Sequence, residues 1–171
     1  MTGDGFGIYR AIVESQESRL LIGHVREAGM RSACTIVCID ADRVAGMRHV
    51  ESAIKHGLRS WQRGTPIADS LEMEVLLYAG GTRHTSAARV FGVSQETRNL
   101  YMCFIPFREQ AFREVASWVQ YTDEDWEELT ATKLQNLERL FQITAEEKRA
   151  VGLDRIGELI LERVALLDVN K

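Results

Sequence analysis

The stretch SACTIVCID, residues 32–40, decides the fold class, because it carries apolar side chains on parts of both faces. Such a run is typical of a strand at the centre of a sheet. Before it, apolar residues at helical spacing predict a helix over 17–28, and GIYRAIV at 7–13 has the composition of a strand. The chain is therefore expected to begin with strand, helix, strand.

Helices and strands continue to mix after this segment. Apolar residues at helical spacing predict a helix over 47–63, and EMEVLLYA at 72–79 predicts a third strand. A short helix over 82–91 and a fourth strand, NLYMCFIP at 99–106, are expected to follow. The middle of the chain thus adds two strands without strict alternation of helix and strand.

The last third of the chain has helix signals alone. A helix is predicted over 108–119, and the acidic run TDEDWEE at 122–128 predicts the start of another, with Thr122 as its N-cap. Residues 144–151 have a Thr cap followed three residues later by Glu, and a final helix is predicted over 153–167.

Together these elements predict an α+β (α/β) fold. We expect a central mixed or antiparallel sheet of about four to five strands packed with helices. The length of 171 residues predicts a single domain over 1–171. Within it, 1–119 would form the sheet-plus-helix core and 120–171 an all-helical part packed on it.

Composition excludes several classes of protein. Hydrophobic residues make up 45% and charged residues 27% of the chain, which argues against disorder. No apolar run reaches the roughly 18 residues of a membrane span. The three cysteines are an odd number without metal-like spacing, which suits the cytoplasm better than a secreted disulfide framework.

Charge is distributed unevenly along the chain. Residues 43–113 carry a net charge of +4, whereas 1–42 carry −2 and 114–171 carry −6. A basic middle in an acidic chain is a candidate patch for an anion or nucleic acid, and the alternative is a set of ordinary solvated helix faces.

No catalytic residue, metal site or cofactor site is predicted from the motifs. His49 and His56 are seven residues apart on one predicted helix face, but no third ligand has matching spacing. The alternative function from this pair is a stand-alone metal-dependent hydrolase that uses both histidines and the acids of 123–128. Cys34 and Cys38 are expected in the core.

The run over 49–93 resembles the small regulatory subunit of the KEOPS complex, the PRPK-binding protein family. The ending ITAEEKRAVG…ERVALLDV is similar to archaeal members. Where the family has Gln and an aliphatic residue, this chain has His84 and Thr85. The resemblance in the central run is carried by a helix from His49 to Arg63-Gly64, Ile67, Leu71, Glu74-x-Leu76-Leu77-Tyr78, Gly81-x-Arg83 and the segment 87–91.

The resemblance implies a subunit with no activity or cofactor of its own and no small-molecule substrate. Its implied partner is a kinase-like ATPase, in an assembly that installs a threonylcarbamoyl group on an adenosine of tRNA. Archaeal members are also associated with the 3′ CCA tail of tRNA. A weaker alternative is a dimerising adaptor unrelated to tRNA.

Two sets of site residues follow as expectations. For RNA they are Lys55, Arg59 and Arg63 on one helix face, with Arg83 after a Gly-Gly turn. An ion pair of Arg83 with Glu72 or Glu74 is the alternative. For the protein partner they are Leu161 and Leu166, because they extend the apolar surface of the last helix beyond one stripe, and part of the 17–28 helix is expected to join them in the interface. The stripe itself, which is expected to pack on the domain's own sheet, is Ile156, Leu159, Ile160, Val164 and Leu167. The alternative for Leu161 and Leu166 is that the whole helix is buried inside the fold.

Overall fold

The strands predicted over 7–13, 32–40 and 99–106 form one antiparallel sheet in the computed structural model, which describes residues 5–14 and 17–169. They are joined by a short fourth strand, and the order is β2-β3-β1-β4 with antiparallel neighbours throughout. The α+β class is therefore confirmed. The strands are β1 (Gly7–Ile12), β2 (Thr35–Asp40), β3 (Asn99–Ile105) and β4 (Gln120–Thr122).

The chain divides into two compact units, each made of two separate stretches. The sheet unit comprises 1–40 and 92–124, and the helical unit comprises 41–91 and 125–171. The organisation of 1–171 as a single domain stays a prediction, but the prediction that 120–171 is all helical is wrong, because Gln120–Thr122 is the strand β4 and pairs with β1.

The sheet unit has its core between the strands and two helices, α1 (Ser18–Ser32) and α5 (Glu109–Val115). Alternate residues of β3 supply one side of this core, as the two-residue period of a strand requires. The helices supply the other side through apolar residues at helical spacing. Buried members of the core include Leu21, Val25, Leu100, Met102, Phe104, Ala111 and Val115.

The helical unit contains the remaining long helices. The helix predicted over 47–63 is confirmed as α2, and the capping box at 144–151 is confirmed, because Thr144 and Glu147 exchange hydrogen bonds at the start of α7. None of the helices in the described residues is long and apolar enough to cross a membrane. The helices are α2 (Met47–Gln62), α3 (Leu71–Gly80), α4 (Thr85–Ala88), α6 (Ala131–Leu140), α7 (Ala145–Val151) and α8 (Ile156–Val169).

The strand predicted over 72–79 is wrong, because this segment is the helix α3. The Ser70 side chain caps it by accepting a hydrogen bond from the Met73 amide. Gly81 ends it in the left-handed conformation, with φ +56°. The prediction failed because residues 74–79 are all buried, so the helical period does not show in the apolar pattern.

The helix predicted to start at 122–128 is also wrong. Thr122 is the last residue of β4, and the next helix, α6, begins at Ala131 with Thr130 as its N-cap. The acids of this segment do not fill the first turn of their own helix. The Glu127 carboxylate accepts a hydrogen bond of 2.9 Å from the Met47 amide, at the N-terminus of α2, where a negative charge is favourable.

Candidate functional site

Helix α8 carries both residues predicted to bind a protein partner, but on opposite flanks. Its buried stripe is Ile156, Ile160, Val164 and Leu167, close to the prediction, with Leu159 only half-buried. Leu161 and Leu166 are five residues apart, which places them about 140° apart around the helix axis. The two residues therefore do not form one patch.

Leu161 lines an open groove of about 520 Å³, which we call the leucine groove. Leu129 and Leu153 line it together with Leu161, and the side chain of Leu153 is 59% exposed. Arg48, Glu127, Asp154 and Glu158 contribute charged side chains to the lining. An apolar patch with charged groups around it is the composition of a protein–protein interface.

Leu166, which is 53% exposed, lines a second open groove of about 800 Å³, which we call the arginine groove. Three arginines and one histidine line it, and none of its lining residues is acidic. Leu140 and Phe141 add apolar surface beside these cations. The combination suits a ligand that has both anionic groups and planar or apolar parts. The four side chains are Arg83, His84, Arg139 and Arg163.

Contacts within the helical unit shape this groove. Gly81 lies so close to α8 that an added Cβ would stand 3.3 Å from the Arg163 carbonyl oxygen. The Gly-Gly turn therefore makes a close backbone approach to the chain itself. Arg163 also forms an ion pair of 2.8 Å with Glu147, so part of its charge is already compensated.

The predicted basic face of α2 is present and solvent-exposed. Lys55 forms an ion pair of 2.7 Å with Glu51, and Arg59 Nη1 lies 3.9 Å from Asp168 Oδ2. Arg63 is the exposed C-cap residue of the helix. The structure thus places Lys55, Arg59 and Arg63 along one helix at successive turns.

Arg83 lies away from this face. Helices α2 and α3 run antiparallel, since His49 contacts Ala79 at one end and Ser60 contacts Glu74 at the other. Arg83 follows the end of α3 that lies beside His49, whereas Arg63 is fourteen residues further along α2. At 1.5 Å per residue, that separates them by roughly 20 Å along the helix axis.

The two histidines of α2 are held by other groups of the protein. His49 is buried: its Nδ1 accepts from the Ala45 amide at 3.0 Å and its Nε2 donates to the Ala79 carbonyl at 2.8 Å. Burial lowers the pKa of His49 to about 4, so the imidazole is neutral. Among the described residues, no three His, Cys, Asp or Glu side chains are grouped to hold a metal ion. The hydrolase alternative lacks its ligand set there.

Several residues of these surfaces escaped the sequence-based predictions. Arg139 and Arg163 belong to the arginine groove although they lie far from Arg83 in sequence. Asp168 contacts His56, Tyr78 and Arg59 from the last turn of α8. An acid at the C-terminal end of a helix opposes the helix dipole, and that was the available signal for a special role.

Comparison with known proteins concerns almost the whole chain. A family model described as kinase binding protein CGI-121 matches residues 9–168. The regulatory protein Cgi121 of Methanocaldococcus jannaschii is 27% identical over 135 residues, which are 78% of this chain and 83% of that protein. The resemblance drawn from the residue pattern is thereby confirmed.

Proposed function

Because this chain belongs to the CGI-121 family of kinase-binding proteins, we propose that it is a non-catalytic regulatory subunit of a KEOPS-type assembly in the cytoplasm. In this role it binds the kinase-like ATPase and helps recruit tRNA through the 3′ CCA tail, for threonylcarbamoylation of an adenosine. The observation that carries the proposal is the family match over 9–168. The two grooves of the helical unit supply a surface suited to each partner.

The leucine groove is the proposed docking surface for the ATPase. Leu161 and Leu153 offer apolar area that a partner would bury, and the charged residues around them would set its orientation. Leu166 lies on the other flank of α8, so the partner has to reach around the helix to contact both leucines.

The proposed RNA surface combines the arginine groove with the basic face of α2. A single-stranded end needs planar groups against which its bases stack and cations beside its phosphates. In this proposal Arg83 in the groove stacks against the bases, and Lys55 and Arg59 contact the phosphates. The negative net charge of −4 makes such a local cluster necessary for binding an anion.

The test of the protein interface is binding of the purified ATPase subunit by Leu161→Glu and Leu166→Glu. A charge forced against apolar partner surface should weaken binding by at least about thirtyfold. Gln135→Glu introduces the same charge at an exposed position of α6 that lines neither groove, and this variant should bind normally. Variants that stay folded and keep full affinity would place the interface elsewhere.

The test of the RNA surface is the triple reversal of Lys55, Arg59 and Arg83 to Glu. It should abolish binding of CCA-ended tRNA without changing the circular dichroism spectrum. Each lost phosphate contact should lower the slope of log affinity against log salt by about 0.7. Reversing the exposed Arg19, Arg113 and Arg149 changes net charge equally and should have far less effect. If tRNA does not bind while the ATPase does, the adaptor alternative is favoured.

A further inference from the structure

The last turn of α8 contains an acidic residue where a helix favours a basic one. Asp168 is the penultimate residue of α8, and the last turn contains no basic residue. A carboxylate at this end faces the negative pole of the helix dipole. Its position therefore requires compensation from other elements of the helical unit.

Three side chains from α2 and α3 supply that compensation. The Tyr78 hydroxyl donates to Asp168 Oδ1, and His56 Nδ1 lies 2.6 Å from Oδ2. Arg59 Nη1 lies 3.9 Å from the same Oδ2. The rings of His56 and Tyr78 stack at 5.5 Å, so the two groups facing Oδ1 and Oδ2 also support each other.

The tyrosine is a well-anchored donor. Tyr78 is fully buried, and burial, reinforced by the hydrogen bond to Asp168, raises its pKa, which keeps the hydroxyl protonated. One turn before it on α3, Glu74 accepts from Ser60 Oγ at 2.7 Å and from the amides of Ile67 and Ala68 at 2.8 Å. This network joins α2 to α3 and holds both in place beneath α8.

The two oxygens of Asp168 thus serve different surfaces. Through Tyr78 the carboxylate fastens the turn that presents Leu166 and the 76%-exposed Val169. Through its charge it attracts Arg59, a cation of the proposed RNA surface whose side chain is 50% exposed. A phosphate approaching Arg59 must compete with this carboxylate and is repelled by it.

We propose that Asp168 is a positioning residue with two separable roles, an inference that rests on the proposed function. Its hydrogen bond with Tyr78 orders the end of α8 for the protein partner. Its charge holds Arg59 and reduces the affinity of the α2 face for RNA. Asp168 therefore sets the balance between the two binding activities.

Two variants separate the roles. Tyr78→Phe removes the hydroxyl and keeps the ring and the charge of Asp168. It should speed amide exchange in the last turn of α8 and weaken ATPase binding about five- to tenfold, with RNA binding unchanged. Asp168→Asn keeps an acceptor for Tyr78 and removes the charge. It should raise affinity for CCA-ended tRNA about two- to fivefold at low salt, with ATPase binding unchanged.

Matched controls identify the cause of each effect. Glu162→Gln removes one charge from an exposed position of α8 and should leave RNA affinity unchanged. In a chain that already contains Arg59→Gln, adding Asp168→Asn should no longer raise the affinity for tRNA. An equal gain in Glu162→Gln, or a gain that persists without Arg59, would overturn the electrostatic role. Unchanged exchange in Tyr78→Phe would overturn the ordering role even if the wild-type chain bound neither partner. Failure of the wild-type chain to bind either partner is instead a failure of the proposed function.

Discussion

Helix α3 and strand β3 are two short apolar segments that look alike in sequence and fold differently. LEMEVLLYAG at 71–80 is a helix, whereas NLYMCFI at 99–105 is a strand. Both contain Leu, Met and Tyr, and both are buried almost without interruption, over 74–79 and 100–105. Continuous burial removes the periodicity by which helix and strand are usually distinguished.

What differs is the flanking chemistry and the neighbours. Helix α3 has Ser70 as a side-chain cap, two glutamates in its first turn and Gly81 after its last. Strand β3 lies between β1 and β2, with partners on both sides. The comparison shows that caps and neighbours, rather than apolar composition, decide the conformation of a fully buried segment. The following four predictions test what holds α3 in place.

The largest effect is expected from Glu74→Ala. The amides of Ile67 and Ala68 would lose their acceptor, and the Ser60 hydroxyl would lose the carboxylate and keep the Thr65 carbonyl. We expect a loss of about 3–5 kcal/mol in the free energy of unfolding, measured by denaturant titration. Glu72→Ala, in the first turn of the same helix, should cost at most about 1 kcal/mol. Equal losses would mean that the buried network does not hold α3.

The second prediction concerns pH and His49, which donates to the last turn of α3 at Ala79. Since its pKa is lowered to about 4, the unfolded chain binds a proton below pH 6.5 that the folded chain does not. Stability should therefore fall as pH decreases from 6.5 towards 4, by about 3 kcal/mol for this group. His49→Gln, measured in parallel, should lack this component, and identical pH profiles would contradict the prediction.

The third prediction compares two helical glycines. A Cβ at Gly57 would stand 3.0–3.3 Å from side-chain and backbone atoms of Val75 on α3, whereas a Cβ at Gly23 in α1 would meet nothing within 4 Å. Gly57→Ala should lower the melting temperature, with a cost of about 1–3 kcal/mol from overpacking. Gly23→Ala should stabilise by about 0.5–1 kcal/mol. Stabilisation by both would show that α2 and α3 have room to separate.

The smallest effect is expected from Ser70→Ala. It removes the acceptor of the Met73 amide and should cost about 1 kcal/mol in thermal unfolding. Ser86→Ala, at an exposed position inside α4 and not at its N-cap residue, is the control and should be nearly neutral. An unchanged stability of Ser70→Ala would mean that this N-cap does not help to keep the segment helical.

The sequence predicts an element correctly where the residues that determine it are neighbours in the chain. The strands at 7–13, 32–40 and 99–106 have β-forming composition, and the capping box of Thr144 and Glu147 is a motif of four consecutive residues. Segment 123–130 could not be predicted, because Glu127 caps α2, a helix 80 residues earlier in the chain. The sequence does not reveal which helix N-terminus an acidic side chain will contact when that helix is distant in the chain.

The candidate site divides in the same way. The exposed cations of α2 and the exposed Leu166 follow from helical spacing, and the structure places them as that spacing requires. The arginine groove does not follow from helical spacing, because only the packing of α6 and α8 brings Arg139 and Arg163 to the same groove as Arg83. The pairing of Asp168 with His56 likewise spans 112 residues.

The sequence by itself determined the α+β class, the boundaries of β1, α2, β3 and α7 to within one residue, the family and the amphipathic faces of α2 and α8. These properties depend on side-chain order within one element, through periodicity, propensity and caps. Tertiary structure alone decided that 71–80 is a helix, that Leu161 and Leu166 line different grooves, and that Asp168 lies 3.9 Å from Arg59. The physical reason is that burial on all sides erases periodicity, and that polar groups pair with the nearest partner in space, whatever its distance along the chain.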